Sequence, residues 1–482
     1  MIINLLNEYY KSRSIDQNNA DLVNMYLEIE NKDVLQQNIK GGLTTAHPKY
    51  KIIAYPSPGK TVFNSGSGSV VRGMIENRGV LYAVIDNTLY SYDSAGTRTS
   101  RGTLSTSTGQ VEISAIPGQL EIIDGTSIYN YNTGTTAFTT VSDPDAPSNP
   151  LTMATQDSTV LISSNNAVTI YGSDIADGTS WSALSFGSKT TTSDYIVKLQ
   201  AFKSRIWIFG TYESEIWYNN GASTFSFAIV QGSSFPYGCA AKNSVAHGQD
   251  AIYLLAQSKK GGLTILSANE SGMIPTPNQG IIKQINDLVN AGTTISDAVG
   301  YCYMKNGHEF YILNFPTAGV SFEYDITSDV WSSRMSYVSA AYTRDLGNCY
   351  AYCYGKHLVG AYNSGTIYYL DDTVYTENST VMLKCIVTPP AYAEGKKLFF
   401  DRLQVDTEKG VGSNKSLTTS ISYDSGHTYT DTYTDNLPDV GERLFWNRLG
   451  MTQDAFVVKL ESTADAKFIV LGAIAEVHVG NN

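Results

Sequence analysis

Gly79-Val-Leu-Tyr-Ala-Val-Ile-Asp-Asn-Thr-Leu-Tyr-Ser-Tyr-Asp93 reads as two short apolar strands around an Asp-Asn turn. Alternating or continuous apolar residues on either side of a two-residue turn are the mark of a β-hairpin. The pattern returns as Gly118-Gln-Leu-Glu-Ile-Ile-Asp-Gly-Thr-Ser-Ile-Tyr-Asn-Tyr131, and again over residues 159–171, 205–218, 251–266, 309–324 and 357–369. Tyr82, Ile122, Ile162, Ile208, Leu254, Ile312 and Val359 serve as equivalent centres, spaced 40, 40, 46, 46, 58 and 47 residues apart. A period of about 40–50 residues carrying short strands predicts a β-propeller. No Trp-Asp dipeptide recurs to fix the repeat, so the count is about seven blades, with six the alternative.

Working outward, residues 1–70 form an N-terminal segment expected to contribute a closing strand, and residues 71–378 the propeller. One helix interrupts it near residues 279–291, where Ile281, Ile282, Ile285, Leu288 and Val289 fall on one helical face. It accounts for the long 58-residue step as an insertion. From about residue 379 to 482 the strands lengthen (382–387, 397–407, 417–423, 443–447, 456–462, 468–479), which predicts a small β-sandwich. The expected class is all-β.

The 482-residue chain is 42% hydrophobic and only 16% charged, which excludes a disordered protein. No run approaches the ~18 apolar residues of a membrane helix, so a soluble chain is expected. The first residues carry no secretory-signal pattern. With 33 basic against 45 acidic residues, net −12, gripping duplex DNA is not the overall design, because that needs many phosphate-neutralising cations. Five cysteines without a C-x-x-C pair suit a reducing compartment.

The search for chemistry returns structural readings. Pro58-Gly59-Lys60-Thr61 lacks the earlier glycine of a phosphate loop (residue 54 is Ala) and reads as a turn. The serines of residues 65–69 read as a flexible loop, not a nucleophile elbow. Cys349 and Cys353 share a strand face with His357 close by, but two ligands at this spacing read as buried free thiols. Asp371-Asp372 and the Asp143/Asp145 pair read as solvated loop charges. Ser422-Tyr-Asp-Ser-Gly-His-Thr-Tyr429 resembles the Asp box of sialidases, a structural hairpin turn, with Tyr429 where Trp is usual. It occurs once, and the arginine cluster and Tyr–Glu pair of a sialidase are not recognisable. No catalytic, cofactor-binding or metal residue is assigned, and the chain is not expected to be an enzyme.

Three further stretches belong together. Ser296-Asp-Ala-Val-Gly-Tyr-Cys-Tyr-Met-Lys-Asn-Gly-His-Glu-Phe-Tyr-Ile-Leu-Asn-Phe-Pro316 leads to Glu323-Tyr-Asp-Ile-Thr-Ser-Asp-Val-Trp-Ser-Ser-Arg334. Leu398-Phe-Phe-Asp-Arg-Leu-Gln-Val-Asp-Thr-Glu-Lys-Gly-Val-Gly412 leads to Arg443-Leu-Phe-Trp-Asn-Arg-Leu-Gly450, and Leu22-Val-Asn-Met-Tyr-Leu-Glu28 precedes Tyr55-Pro-Ser-Pro-Gly59. In order and spacing these resemble the packaged-DNA stabilisation proteins of P22-like short-tailed phages, which form the tail hub or nozzle. Phe322-Glu323 departs from the Trp-Val usual there, a change that touches packing. The resemblance implies a virion structural protein, assembled in the host cytoplasm. It implies a ring, six copies in the family, that continues the DNA channel below the portal and its adaptor. That ring would retain the genome and dock a needle or plug protein and spikes or fibres, with DNA passing through unread. An acidic or neutral channel wall would let DNA slide. The alternative from another class is a receptor- or glycan-binding, or glycan-cleaving, propeller of the tail.

Overall fold

The computed structural model describes residues 2–6, 9, 11–14, 18, 20–31, 50–189, 194–277, 279–392, 396–412 and 414–480. Among these, the strands of residues 59–371 build seven blades. Blade 1 comprises Val71–Asn77, Val80–Ile85, Thr88–Tyr92 and Arg98–Thr103, paired in that order. Blades 2, 3 and 4 repeat the antiparallel meander from Glu112, Pro150 and Ile196. In blade 5 the inner strand is split into Gly238–Cys239 and Ala246–His247 by a 3-10 turn, Lys242–Ser244. Blade 6 runs from Val299 to Arg334. The seven hairpins read from the sequence are the middle strand pairs of these blades.

Those hairpins are nearly all apolar because both faces of a middle strand are covered. In Arg205–Gly210, Ile206 and Ile208 pack towards blade 3, while Trp207 and Phe209 pack towards blade 5. Along Val80–Ile85, Leu81, Ala83 and Ile85 face blade 7, and Tyr82 and Val84 face blade 2. Alternation with period two thus feeds two seams at once, one on each side of the blade.

Blade 7 contains Gly347–Cys353, Lys356–Ala361 and Gly365–Asp371, and takes its outer strand, Gly59–Gly66, from the other end of the propeller sequence. Closure removes the open edge that a linear stack of blades would leave. Residues 58–61, read as a turn, instead run into this closing strand.

The sandwich is not made from the C-terminal residues alone. One sheet orders Met25–Asn31, Tyr50–Pro56, Val470–Val479, Leu398–Thr407 and Leu444–Thr452, with Ile2–Asn4 also beside Val470–Val479. The other contains Asp21–Val23, Lys384–Val387, Val457–Ser462, Ser416–Ser422 and Asp431–Asn436. Dividing the chain at residues 70 and 378 therefore separates pieces that share one core, in which Leu22, Met25 and Leu27 pack with Phe400, Leu403 and Phe456. The strand Asp431–Asn436 is polar and largely exposed, so it carries no apolar alternation to betray it.

The sandwich and the propeller share a sheet. Val23 pairs in parallel with Ser333 on the outer strand of blade 6, and Asp21–Val23 pairs antiparallel with residues 385–387 of the sandwich. The helix, Gln279–Asn290, lies between blades 5 and 6 and buries Ile281, Ile282 and Ile285 there, while Val289 is exposed instead of joining that face.

Candidate functional site

A cluster of fully buried charged groups lies where the ring closes and the sandwich attaches. Lys60, on the closing strand, is fully buried; its Nζ lies 2.5 Å from Asp345 Oδ2 and also pairs with Glu377. Arg334, at the end of blade 6, lies 3.7 Å from Asp345 and 3.8 Å from Glu323. Tyr303 donates to Glu323 at 2.9 Å, and the Gly347 N–H donates to Asp345 at 2.7 Å. Burial alone would lower Lys60, but the Asp345 and Glu377 carboxylates outweigh it and hold the ammonium charged. Burial pushes Glu323 up, against the pull of Arg334. Two cations thus face three carboxylates. Buried charges of this kind persist only when paired. Here the pairing joins blade 6, the approach to blade 7, the closing strand and the exit to the sandwich.

Asn24 makes the matching polar stitch. Its φ of 51° lies in the left-handed region that Asn tolerates better than most residues. Its Nδ2 donates to the carbonyls of Met335 (2.9 Å) and Leu383 (2.7 Å), and its Oδ1 accepts from the Met335 N–H at 3.0 Å. One buried amide therefore ties the N-terminal strand, blade 6 and the start of the sandwich. Close by, Lys384 is buried with its Nζ donating to Ala464 O at 2.6 Å, and burial lowers it to about 8.

The inner strands surround a cavity of about 420 Å³ lined by residues of several blades, among them Gln110, Gln200, Asn243 and Asn348. Glu112 meets Lys198 at 2.9 Å and Lys242 at 3.4 Å there. Burial would raise this carboxyl, but the two ammonium groups keep it below its usual value. A space of this size suits a small molecule, not a nucleic-acid duplex.

The sequence candidates fall into place as parts of the scaffold. Cys349 and Cys353 lie on the inner strand of blade 7 facing the blade 1 seam. His357 pairs across the hairpin with Tyr352, and its Nδ1 shares a 2.9 Å hydrogen bond with the Tyr350 hydroxyl, away from both thiols. Among the described residues, no group of three or more His, Cys, Asp or Glu side chains is placed to hold a metal. Asp371 caps its own turn through Thr373 (2.9 Å to N, 2.7 Å to Oγ1), and Asp372 meets Lys305 at 3.4 Å. Asp143 and Asp145, read as solvated loop charges, accept from the Trp181 and Ala183 N–H groups at 3.0 Å each. They blunt the outer edge of blade 3.

The Asp-box-like stretch forms the expected turn between Ser416–Ser422 and Asp431–Asn436. Asp424 Oδ1 accepts from the Thr428 N–H (2.8 Å) and Oδ2 from its hydroxyl (2.6 Å), while the Gly426 N–H donates to Ser422 Oγ at 2.9 Å. The Thr428 hydroxyl, its backbone N–H and Ser422 together lower Asp424 to about 2. Gly426 has φ 90°, a conformation that glycine adopts freely. The carboxylate is spent on the turn.

Sequence reasoning missed Asn24, Lys384 and the charge cluster. A buried Lys or Glu looks, in a linear sequence, like any surface charge. Glu323 alone carried a signal, since it interrupts an apolar strand on both of whose faces neighbours are buried.

Comparison with known proteins adds the family. No curated protein matches the chain in sequence. Among solved structures, the Pan2 WD40 domain of Neurospora crassa aligns at 10% identity and a TM-score of 0.44, over 66% of this chain and 96% of that one. The extracellular domain of a putative hybrid two component system from B. thetaiotaomicron aligns at 12% and 0.44, over 81% and 47%. The N-terminal domain of Nup159 aligns at 9% and 0.40, over 66% and 95%. The family described as "Bacteriophage P22 Gp10, beta-propeller" matches residues 50–375, and that described as "Bacteriophage P22 Gp10, beta-sandwich" matches residues 385–478. With both domains matched in order over most of its length, the chain belongs to the bacteriophage P22 Gp10 family, and is a phage structural tail protein of the virion.

Proposed function

We propose that this chain is the subunit of a tail hub or nozzle ring, formed by several copies closing around the path of the DNA below the portal and adaptor. The observation that carries this reading is the pairing of a propeller and a sandwich, both of the P22 Gp10 type, in one chain and on one continuous sheet. Shared strands make the two domains a single stiff block, suited to bearing load between neighbours. The propeller's own central cavity is far too small for a duplex, so a DNA channel has to lie between copies and not through one of them. The net charge of −12 suits a wall that phosphates slide past. In this reading the ring retains the packaged genome behind a needle or plug and offers lateral surfaces to spikes or fibres.

Cryo-electron microscopy of purified virions tests it. Density for this chain is expected as a closed ring coaxial with the portal, with DNA on the axis. Density at the tail periphery, off that axis, would sink the ring and return the chain to a receptor-binding role.

A further inference from the structure

A second concave surface adjoins the central cavity. It lies at the mouth of the propeller cavity, where the turns joining the first two strands of blades 5, 6 and 7 converge, as a shallow, open hollow of about 440 Å³. Its floor is aromatic. Tyr350 and His357 stack at 6.1 Å between centroids, and Tyr352 meets His357 at 4.9 Å. Tyr352 leaves 55% of its surface in water and Met304 40%, unusual exposure for such side chains in a wall. The rim is polar. Glu309 Oε1 accepts the Gln249 N–H at 2.6 Å, and no hydrogen bond to Oε2 is found among the described residues. His247 is exposed beside it. Burial, helped by Lys305, holds His357 below its usual pKa, so near neutrality it is an uncharged imidazole. With Nδ1 facing the Tyr350 hydroxyl, Nε2 is left as the ring's other polar atom.

The geometry points to a saccharide-binding site at this mouth, specific for neutral sugar rings that stack on Tyr352 and hydrogen-bond to Glu309. A sugar has an apolar C–H face and a circumference of hydroxyls. An exposed aromatic ring flanked by a carboxylate, an imidazole and an amide complements both. The volume accommodates one or two such rings. The carboxylate accepts from hydroxyl donors and repels anions, so acidic sugars and phosphates are disfavoured. This role goes beyond assembly of the ring, and neither proposal depends on the other.

The test is saturation-transfer-difference NMR on the full chain with glucose, galactose, mannose, N-acetylglucosamine and their common disaccharides, with N-acetylneuraminic acid as the anionic probe. Transfer to the C–H protons of at least one neutral sugar is expected. Tyr352→Ala should weaken its binding about tenfold or more, equivalent to about 1.4 kcal/mol. Glu309→Gln should weaken it less, and Phe186→Ala, an exposed aromatic on blade 3, should leave it unchanged. Both tested side chains are at least partly exposed, and a thermal melt coincident with the parent chain confirms folding. Transfer from none of the neutral sugars, or transfer indifferent to Tyr352→Ala, overturns the site. Stronger transfer to N-acetylneuraminic acid than to every neutral sugar overturns the ligand class.

Discussion

Blade 3 and blade 7 have the same four-stranded plan but are held by different physics. Blade 3 is continuous in sequence, and its seams are mainly apolar, with a lone carboxyl, Glu121, buried towards blade 2: Leu161 and Ile170 meet blade 4, and Val160 and Ile162 meet blade 2. Blade 7 borrows a strand from about 300 residues away, and the junction around it contains Lys60, Asp345, Glu377, Arg334 and Glu323. The difference teaches where polar specificity is useful. Neighbouring hairpins find each other because they are tethered, and apolar contact suffices. Two distant ends have to meet in one register, and a charge cluster whose ion pairs form only in that register disfavours the alternatives, a role established for buried polar groups in some systems.

The largest expected effect separates these regions outright. Deleting residues 2–66 removes the closing strand and four strands that join the sandwich sheets, so we expect aggregation and loss of a cooperative melt. A soluble, cooperatively unfolding product would show that blade 7 and the sandwich stand without their N-terminal strands.

Next comes Lys60→Met, which takes the nearest cation from Asp345 and Glu377 and leaves them buried with only the more distant Arg334. Breaking a buried pair costs about 3–5 kcal/mol, read as a lower denaturation midpoint. Adding Asp345→Asn and Glu377→Gln should recover part of the loss, because fewer charges are then stranded. In blade 3, Leu161→Ala should cost about 2–5 kcal/mol through a cavity, with no partner change able to rescue it. If the triple variant is no more stable than Lys60→Met alone, the contrast between the two regions fails.

Asn24→Ala should cost about 1–3 kcal/mol, by leaving the Met335 and Leu383 carbonyls without their donor. Asn24→Gly relieves the backbone term but not the lost bonds. Equal stability of Asn24→Ala and the parent would remove Asn24 from the junction.

The pH dependence sharpens the comparison further. Glu121, between blades 2 and 3, is raised to about 8 by burial, despite the bond from Asn130. Its folded pKa exceeds the unfolded value of 4.5, so its contribution is present below about 4.5 and lost as pH rises towards 8. Lys384, beside the junction, is lowered from 10.5 to about 8. The unfolded chain binds the extra proton between those values, so stability rises as pH rises from about 8 to 10.5. Denaturation across pH should show Glu121→Gln flattening the lower window and Lys384→Met the upper one. A variant that leaves the slope of its window untouched would discard that assignment. The smallest effect is Asp424→Ala, a local loosening of the 422–428 turn seen as faster amide exchange there, with the blade amides unaffected.

By itself the sequence determined the repeated unit. Seven hairpins with both faces apolar, at a spacing of about 40–58 residues, have few other ways to bury themselves than as stacked blades. It also determined the Asp424 turn, since every bond in that turn lies within a few residues. The helix was legible for the same reason, although Val289, read onto its apolar face, is exposed, because how far round a helix a neighbour reaches is a tertiary fact. Only the tertiary structure decided that the strands Ile2–Asn4, Asp21–Val23, Met25–Asn31 and Tyr50–Pro56 serve the sandwich, that Lys60 is a buried counter-ion, and that Asn24 joins three segments. These features depend on contacts across some 300 residues of chain. A strand such as Asp21–Val23 is short and carries no local pattern, and a lysine does not announce in sequence whether water or a carboxylate will surround it. Local periodicity reports what a segment has to bury; only the completed fold fixes against what.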